Sequence, residues 1–269
     1  MNSKHAFPEL FSLKNKLALV TGSGQGLGLA LVKGLASAGA GVIMNGRDKI
    51  KLEKSVNEVN KEYSNVYALA FDVTDEQEVN SALISVEEMH GPIDILINNA
   101  GIIKRSLAVD MNLSDWEEVI RMDLTGPFIM SKNVAKGMIK RGTGGKIINI
   151  CSMMSEIGRS TVDAYAAAKG GLKMLTKNLA TEWARFNIQV NGIGPGYFAT
   201  ELTKPLRKEG HPFNEFILRR TPAGRWGNPE DLIGAAIFLA SSASDFVNGH
   251  ILYVDGGLLA SLGRAEGEE

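Results

Sequence analysis

Short apolar runs rich in β-branched residues alternate along this chain with longer amphipathic segments, and this alternation constrains the fold more than any other feature. The short runs predict buried strands over residues 17–21, 42–45, 66–71, 93–98, 146–150, 188–193 and 251–254. The amphipathic segments predict helices over residues 27–38, 49–63, 76–90, 114–140, 163–185 and 229–241. Strands and helices in alternation form a parallel sheet through right-handed crossovers. The sequence therefore predicts an α/β fold, with a doubly wound, seven-stranded parallel sheet and helices on both faces, in a single domain over residues 1–269.

Charge and apolar patterning argue against several classes of partner. A formal net charge of -1 over 269 residues leaves no global field that would attract nucleic acid or anionic lipid. Residues 1–11 lack the basic and apolar regions of a signal peptide, and no later apolar stretch is long enough to span a membrane. We therefore expect a cytoplasmic protein with no nucleic-acid and no membrane partner.

The cysteine and histidine content predicts neither a disulfide nor a metal site. The single cysteine, Cys151, follows an apolar run, where we expect a small buried thiol. The four histidines show no metal-ligand spacing; they are His5, His90, His211 and His250. We expect no bound zinc.

A glycine-rich loop follows the first predicted strand and leads directly into a helical pattern. Its glycines Gly22, Gly26 and Gly28 are spaced differently from the commoner G-x-G-x-x-G fingerprint. Glycine lets a pyrophosphate approach the backbone, while the helix N-terminus offers free N–H groups and a favourable dipole. The loop predicts a dinucleotide site whose contacts are Gly22, Ser23, Gln25, Gly26 and Leu27. The alternative is a glycine-rich turn without a ligand.

The end of the second predicted strand favours NADP(H) over NAD(H). An NAD enzyme usually places an Asp or Glu there to bind the ribose 2'-hydroxyl. Gly46 offers no carboxylate at this point, and Arg47 supplies a cation suited to a 2'-phosphate. Two further strand ends complete the predicted cofactor site; they contribute Asp72 and Val73 after the third strand, and Asn99, Ala100 and Gly101 after the fourth.

Three polar residues form the predicted reacting group. Tyr165 and Lys169 are four residues apart in a helical segment, so they share one helix face, and Ser152 follows the fifth strand. A tyrosine is a poor base near neutrality, but a nearby ammonium group stabilises its phenolate. Tyr165 is then the proton donor or acceptor, and Ser152 donates a hydrogen bond to the substrate oxygen where charge develops.

Together these motifs resemble the short-chain dehydrogenase/reductase family over almost the full length of the chain. The matched features are Thr21-Gly22-x-x-x-Gly26-x-Gly28, residues 98–101, Ser152 with Tyr165-x-x-x-Lys169, and Pro195-Gly196 followed by Thr200. The resemblance implies a Rossmann-type domain and an NADP(H)-dependent oxidoreductase. It also implies that Lys169 binds the nicotinamide ribose, with the carboxamide held by Pro195, Gly196, the Phe198 backbone and Thr200.

One residue departs from the family pattern. The family commonly has an asparagine in the helix before the fifth strand, where its backbone holds a water for proton relay, and the matching residue here is Asp123. We keep Asp123 among the catalytic candidates. Its carboxylate adds charge near Lys169, and the role of its side chain is open at this point.

The substrate is predicted from a closer resemblance within the family. Residues 148–155, 166–173, 191–197, 211–213, 225–227 and 246–250 resemble the gluconate 5-dehydrogenases, which interconvert D-gluconate and 5-keto-D-gluconate. A sugar acid carries a carboxylate that suits an arginine. The predicted substrate contacts are Ser152, Tyr165, Arg105, Arg159, Met154 and Tyr197, with a substrate lid at about residues 197–226.

Several alternatives stay open at this stage. The same fold and reacting group would serve a 3-deoxy-2-ketogluconate dehydrogenase or a 3-oxoacyl reductase, and a non-catalytic NADPH sensor is an alternative of another class. A weakly held divalent cation could be shared with the substrate near Asp123, Glu156 and Asp163. Resemblance also implies a homotetramer that pairs through residues 163–185 and 246–257.

Overall fold

The sheet has seven strands, all of them parallel, in the order β3-β2-β1-β4-β5-β6-β7. The structure is a computed structural model and describes residues 7–201 and 203–263. The strands are β1 (Leu17–Val20), β2 (Gly41–Gly46), β3 (Val66–Ala70), β4 (Ile95–Asn98), β5 (Gly145–Ile150), β6 (Ile188–Pro195) and β7 (Ile251–Val254). In the middle of the sheet, Val20 of β1 lies opposite Met44 of β2 and Ile97 of β4. The predicted α/β fold is confirmed.

Helices cover both faces of this sheet. They are α1 (Gly26–Ser37), α2 (Lys49–Val59), α3 (Glu76–His90), α4 (Leu113–Ile120), α5 (Gly126–Arg141), α6 (Asp163–Trp183), α7 (Pro212–Arg220) and α8 (Ile233–Ala240). Buried side chains of α1, α2 and α8 form one apolar layer with the strands, and those of α3, α5 and α6 form the other. Alternate strand residues supply both layers, since Val20 joins the first layer and Leu19 the second.

The predicted helix over residues 114–140 is corrected by the structure. It contains a π-helical segment, Arg121–Thr125, between α4 and α5. There the Gly126 N–H bonds to the Arg121 carbonyl, five residues back, so the helix carries one residue more per turn. A hydrophobic period of 3.6 does not reveal such a local insertion. The segment contains Asp123, and its geometry aims that side chain into the protein.

The segment predicted as the substrate lid, residues 197–226, is partly helical. It contains a 3₁₀ turn, Lys204–Arg207, and helix α7. His211 caps α7 by accepting the Phe213 N–H on Nδ1 at 3.1 Å. The segment closes on itself where Phe198 pairs with Gly227. This partly helical segment follows the carboxyl end of β6, the side of a parallel sheet on which ligands usually bind.

Candidate active site

The glycine loop forms a cradle that only glycine permits. Gly22 and Gly26 have φ of +59° and +58°, in the left-handed region that side chains disfavour. A Cβ on Gly22 would lie 2.7 Å from the Ala100 Cα, and one on Gly28 would lie 2.6 Å from the Asn99 amide nitrogen. No glycine side chain therefore covers the backbone where the loop meets the N-terminus of α1.

The N-terminus of α1 has the free donors that an anion requires. Gln25 is the N-cap residue, and its side chain makes no capping hydrogen bond. The first N–H groups of a helix have no intrahelical partner, so they are available to a phosphate here. Ser23 is buried, and its hydroxyl accepts the Asn45 N–H at 3.1 Å, which fixes this part of the loop to β2.

Asn45 holds the cradle in place, and our reading of the sequence did not single it out. Its carbonyl accepts the Ser23 N–H at 2.9 Å, and its side-chain amide donates to the Phe71 carbonyl at 3.0 Å. It thus joins the glycine loop, β2 and the end of β3. A polar residue inside an otherwise apolar strand, as in Val42-Ile43-Met44-Asn45, is the signal that could have identified it.

The ends of β2 and β3 place the other adenosine-side candidates. Arg47 is exposed immediately after β2. Asp72 accepts both the Thr74 N–H and the Thr74 hydroxyl on one oxygen, each at 2.8 Å, so it forms a turn, and its neighbour Val73 is buried. Arg47 is the exposed cation among these three residues, so a phosphate can approach it from solvent.

The loop after β4 is fixed to the glycine loop by Thr21. The Thr21 hydroxyl accepts the N–H groups of Asn99 and Ala100 at 2.9 and 3.0 Å. The Asn99 amide donates back to the carbonyls of Thr21 and Gly22 at 2.9 and 3.0 Å. Asn99 and Ala100 are therefore bonded directly to the start of the glycine loop.

Ser152, Tyr165 and Lys169 meet where β5 ends and α6 begins. The Ser152 oxygen accepts the Met154 N–H at 3.1 Å, which leaves the hydroxyl hydrogen free to donate. Lys169 donates from Nζ to the Ile150 carbonyl at 2.9 Å, and Nζ lies 5.4 Å from the centroid of the Tyr165 ring. These contacts place an ammonium group beside the phenol, at a strand end that also carries the serine.

Asp123 reaches the same ammonium group from the π-helical segment. Its Oδ2 lies 3.2 Å from Lys169 Nζ, and its Oδ1 accepts the Ile102 N–H at 2.7 Å. Burial raises the pKa of the Asp123 carboxyl against the opposing effect of Lys169. Burial alone would lower the pKa of Lys169, but Asp123 and Tyr165 outweigh it and hold that pKa above its usual value. We take the pair as charged, because the carboxylate and the ammonium compensate each other.

The two predicted substrate arginines, Arg105 and Arg159, interact electrostatically. Burial and the charge of Arg159 lower the pKa of Arg105, while Tyr197 and Tyr165 oppose that effect. Arg159 donates from Nη1 to the Tyr197 hydroxyl at 3.2 Å, and its guanidinium lies 4.4 Å from the centroid of the Phe213 ring. Phe213 is a contact that our reading of the sequence missed, since nothing local links it to residue 159.

Met154 and the start of the lid complete the surroundings of this group. Met154 is buried in a small apolar cluster against which Tyr165 and Tyr197 pack. A Cβ on Gly196, after Pro195, would lie 2.8 Å from the Asp255 Cα, so the chain passes close to the turn after β7. The Thr203 hydroxyl bridges the Phe198 carbonyl and the Thr200 N–H, both at 2.9 Å. The backbone beside the reacting group is therefore held in a defined turn.

Cys151 lies next to the reacting serine without joining it. Burial raises the pKa of its thiol to about 11, so it is a neutral thiol at physiological pH.

No cluster of three or more His, Cys, Asp or Glu side chains with metal-binding geometry exists within residues 7–201 and 203–263, and His5 lies outside them. No helix in that part of the chain combines the length and apolar character that a membrane span requires.

The glycine cradle and the reacting group match a known family. The family model described as enoyl-(acyl carrier protein) reductase matches residues 22–259. The chain belongs to the short-chain dehydrogenase/reductase family, as the motifs predicted.

Individual relatives narrow the comparison. A 2-dehydro-3-deoxy-D-gluconate 5-dehydrogenase from Formosa agariphila is 59% identical over 97% of this chain and 99% of its own length. A 5-keto-D-gluconate 5-reductase from Escherichia coli K12 is 48% identical over 94% of this chain and 99% of its own. The crystal structure of a gluconate 5-dehydrogenase from Burkholderia cenocepacia J2315, in complex with NADP and tartrate, is 46% identical with a TM-score of 0.90; it covers 94% of this chain and 98% of that one. The NADP in that complex agrees with the cofactor predicted from the sequence.

Proposed function

We propose that this chain is an NADP(H)-dependent oxidoreductase that interconverts D-gluconate and 5-keto-D-gluconate by hydride transfer at C5. The observation that carries the proposal is that the Lys169 ammonium lies beside the Tyr165 ring where β5 ends at Ser152. Arg159, from the loop between Ser152 and Tyr165, bonds to Tyr197. An anionic, hydroxylated substrate would neutralise the two predicted substrate arginines and present a carbonyl to the three reacting residues.

The cofactor site fits NADP(H) by three features. The glycine cradle leaves bare backbone where a side chain would collide, and the α1 N-terminus offers N–H groups to a pyrophosphate. Arg47, without an acidic neighbour at Gly46, would hold the 2'-phosphate. When bound, the cofactor supplies the hydride in ketone reduction and accepts it in alcohol oxidation.

The side chains divide the remaining chemistry between them. In reduction, the Ser152 hydroxyl donates a hydrogen bond to the substrate oxygen, and the Tyr165 hydroxyl transfers its proton to that oxygen as it gains charge. The Lys169 ammonium, 5.4 Å from the ring of Tyr165, stabilises the phenolate that remains. In oxidation the same groups act in reverse, with Tyr165 accepting the proton of the alcohol.

A second candidate is the oxidation of 2-dehydro-3-deoxy-D-gluconate at C5. The 59% identity to the Formosa agariphila relative favours it, and both candidate reactions act at carbon 5 of a gluconate skeleton. The two substrates differ at C2 and C3, so the carboxylate contacts and the reacting group would serve either.

The test is a panel assay that follows NADPH absorbance with 5-keto-D-gluconate and gluconate, with 2-dehydro-3-deoxy-D-gluconate, and with an acetoacetyl thioester. We expect the highest kcat/KM with 5-keto-D-gluconate, and Tyr165→Phe to abolish turnover while retaining NADPH binding. Preference for the deoxy acid would select the second candidate. Preference for the thioester would reject a sugar acid, and tight NADPH binding without turnover of any compound would indicate a sensor.

We also propose that residues 197–226 act as the substrate lid and that the protein is a homotetramer. The contact of Arg159 with Tyr197 supports the lid, because it joins that segment to the loop between Ser152 and Tyr165. Exposed apolar side chains at Met174 and Phe246, within the two predicted pairing segments, support association. Sedimentation equilibrium would measure four copies, and a monomer at micromolar concentration would reject the tetramer. The cytoplasmic location stays a prediction.

A further inference from the structure

Asp123 is buried beside Lys169 in a way that the proposed reaction does not by itself require. Its side chain is 0% exposed and that of Lys169 is 5% exposed. A carboxylate and an ammonium so far from water are each unfavourable unless they are paired. Asp123 Oδ2 and Lys169 Nζ lie 3.2 Å apart, close enough for each charge to compensate the other.

The two oxygens of Asp123 have different partners. Oδ1 accepts the Ile102 N–H, which fixes the carboxylate to the loop after β4. Oδ2 has no hydrogen-bond partner in the part of the chain that the structure describes, so the ion pair with Nζ is what compensates it. An amide in this place would either keep the Ile102 contact and direct its NH2 group at the ammonium, or turn its oxygen to the ammonium and lose that contact. Both orientations would remove the negative charge that faces the ammonium.

We propose that Asp123 is the internal counter-ion of Lys169 and positions its ammonium group for Tyr165. Asp123 is thus a positioning residue, which acts through Lys169. This inference rests on the proposed function for its catalytic consequence and on the ion pair alone for its structural one.

The geometry of the ammonium group supports this assignment. Lys169 Nζ has three N–H bonds; the Ile150 carbonyl at 2.9 Å accepts one, and Asp123 Oδ2 faces a second. The centroid of the Tyr165 ring lies 5.4 Å from the same nitrogen. The titratable groups that act on Lys169 are Asp123 from the π-helical segment, Tyr165 from α6 and the Cys151 thiol from the end of β5. Asp123 is the carboxylate in this set.

The first test compares the pH dependence of ketone reduction in Asp123→Asn and in the wild-type protein. Without the carboxylate, one buried positive charge is uncompensated, so the Lys169 ammonium loses its proton at lower pH and no longer stabilises a phenolate. We expect the alkaline limb of the log kcat profile to move down by about one pH unit or more. An alkaline limb at the wild-type pH in a folded, active variant would overturn the proposal.

Asp94→Asn is the matched control. Asp94 also accepts a backbone N–H, from Leu17 at 3.1 Å, and pairs with a cation, Arg141 at 3.2 Å, but it lies at the other end of the sheet before β4. This variant should lose thermal stability and keep the wild-type alkaline limb. A comparable shift in both variants would show that the effect is general destabilisation and would also overturn the proposal.

A second measurement does not depend on turnover or on the folding of Asp123→Asn. Lys169→Met leaves the Asp123 carboxylate buried without its cation, whereas Asp123→Asn combined with Lys169→Met removes both charges. At pH 8 the double variant should unfold at a higher urea concentration than Lys169→Met. If Lys169→Met is equally or more resistant, Asp123 is not the counter-ion. Failure of every substrate in the panel would reject the proposed function and leave this comparison intact.

Discussion

Arg159 donates a hydrogen bond from Nη1 to the hydroxyl of Tyr197 at 3.2 Å and so joins the loop after β5 to the segment after β6. Its guanidinium also lies 4.4 Å from the centroid of the Phe213 ring, at the start of α7. One arginine therefore links the loop after Ser152 to the proposed lid. We expect its guanidinium to bind the substrate carboxylate there.

The first prediction concerns this arginine. Arg159→Ala should raise the KM for the sugar acid about 10-fold or more and leave the Kd for NADPH unchanged, since a charged hydrogen bond contributes roughly 1.5–3 kcal/mol. Steady-state kinetics and NADPH fluorescence titration would measure the two effects. Arg185→Ala is the control, because Arg185 also stacks on a ring, 4.7 Å from the centroid of Phe186, at the opposite end of β6. A KM unchanged by Arg159→Ala would remove this residue from the substrate site.

The second prediction concerns cofactor choice. Arg47→Ala should weaken NADPH binding by about 10- to 100-fold, as expected when a charged hydrogen bond is lost, and should leave NADH binding almost unchanged. Lys51→Ala is the control; Lys51 is an exposed cation in the first turn of α2 that pairs with Asp48 at 3.3 Å. Equal losses for the two dinucleotides in Arg47→Ala would contradict the assignment of Arg47 to the 2'-phosphate.

The third prediction concerns the glycine cradle. Gly22→Ala combines a left-handed backbone with a Cβ 2.7 Å from the Ala100 backbone, so it should lower the free energy of unfolding by about 1–3 kcal/mol and weaken NADPH binding. Gly24→Ala, whose Cβ would meet nothing closer than 3.9 Å, should unfold near the wild-type temperature. Differential scanning calorimetry with and without NADPH compares them. Similar melting temperatures for the two variants would show that the loop rearranges.

The fourth prediction concerns the pH dependence of stability. Glu156 accepts hydrogen bonds from Lys173 at 2.6 Å and from the Tyr253 hydroxyl at 2.5 Å, and Lys173 is the larger cause of the lowered pKa of its carboxyl. A carboxyl whose pKa is lower in the folded state stabilises the protein above its unfolded pKa and loses that contribution as pH falls through the folded value. Glu156→Gln should therefore lower Tm at pH 7, and the difference should shrink as pH falls below the usual glutamate pKa of about 4.3.

Glu201→Gln is the control for that measurement. Glu201 pairs with Lys204 at 3.3 Å, but its side chain is 87% exposed, and an exposed pair contributes little. The Tm of Glu201→Gln should match the wild-type Tm at pH 3.5 and at pH 7. A Glu156→Gln deficit that is the same at pH 3.5 and pH 7 would show that packing, and not charge, accounts for the effect.

Local periodicity was sufficient for most of the fold. The seven strands and the doubly wound arrangement follow from apolar runs and intervening helices, and helix ends moved by only a few residues. The predicted helix over residues 49–63 ends at Val59 because the Asn60 side chain bonds to both backbone groups of Val66. That contact bridges a turn to a strand, and hydrophobic spacing does not encode it.

Some features of the candidate site could not be read in the same way. The π-helical segment is a single inserted residue that the 3.6-residue period cannot distinguish from an ordinary turn. Helix α7 was not predicted, because the stretch that contains it is rich in prolines, basic residues and aromatics. Phe213 meets Arg159 only because α7 folds back over the loop after β5.

The sequence by itself determined the sheet, the glycine loop and the spacing of Tyr165 and Lys169, because each depends on neighbours a few residues apart along the chain. Only the tertiary structure brings Asp123 to Lys169. Its carboxylate lies 46 positions before Lys169 in the chain, and the two charges meet at 3.2 Å because the π-helical segment and α6 pack together over the end of β5. The energy of a buried ion pair depends on distance and on exclusion of water, and neither is written in the order of the residues.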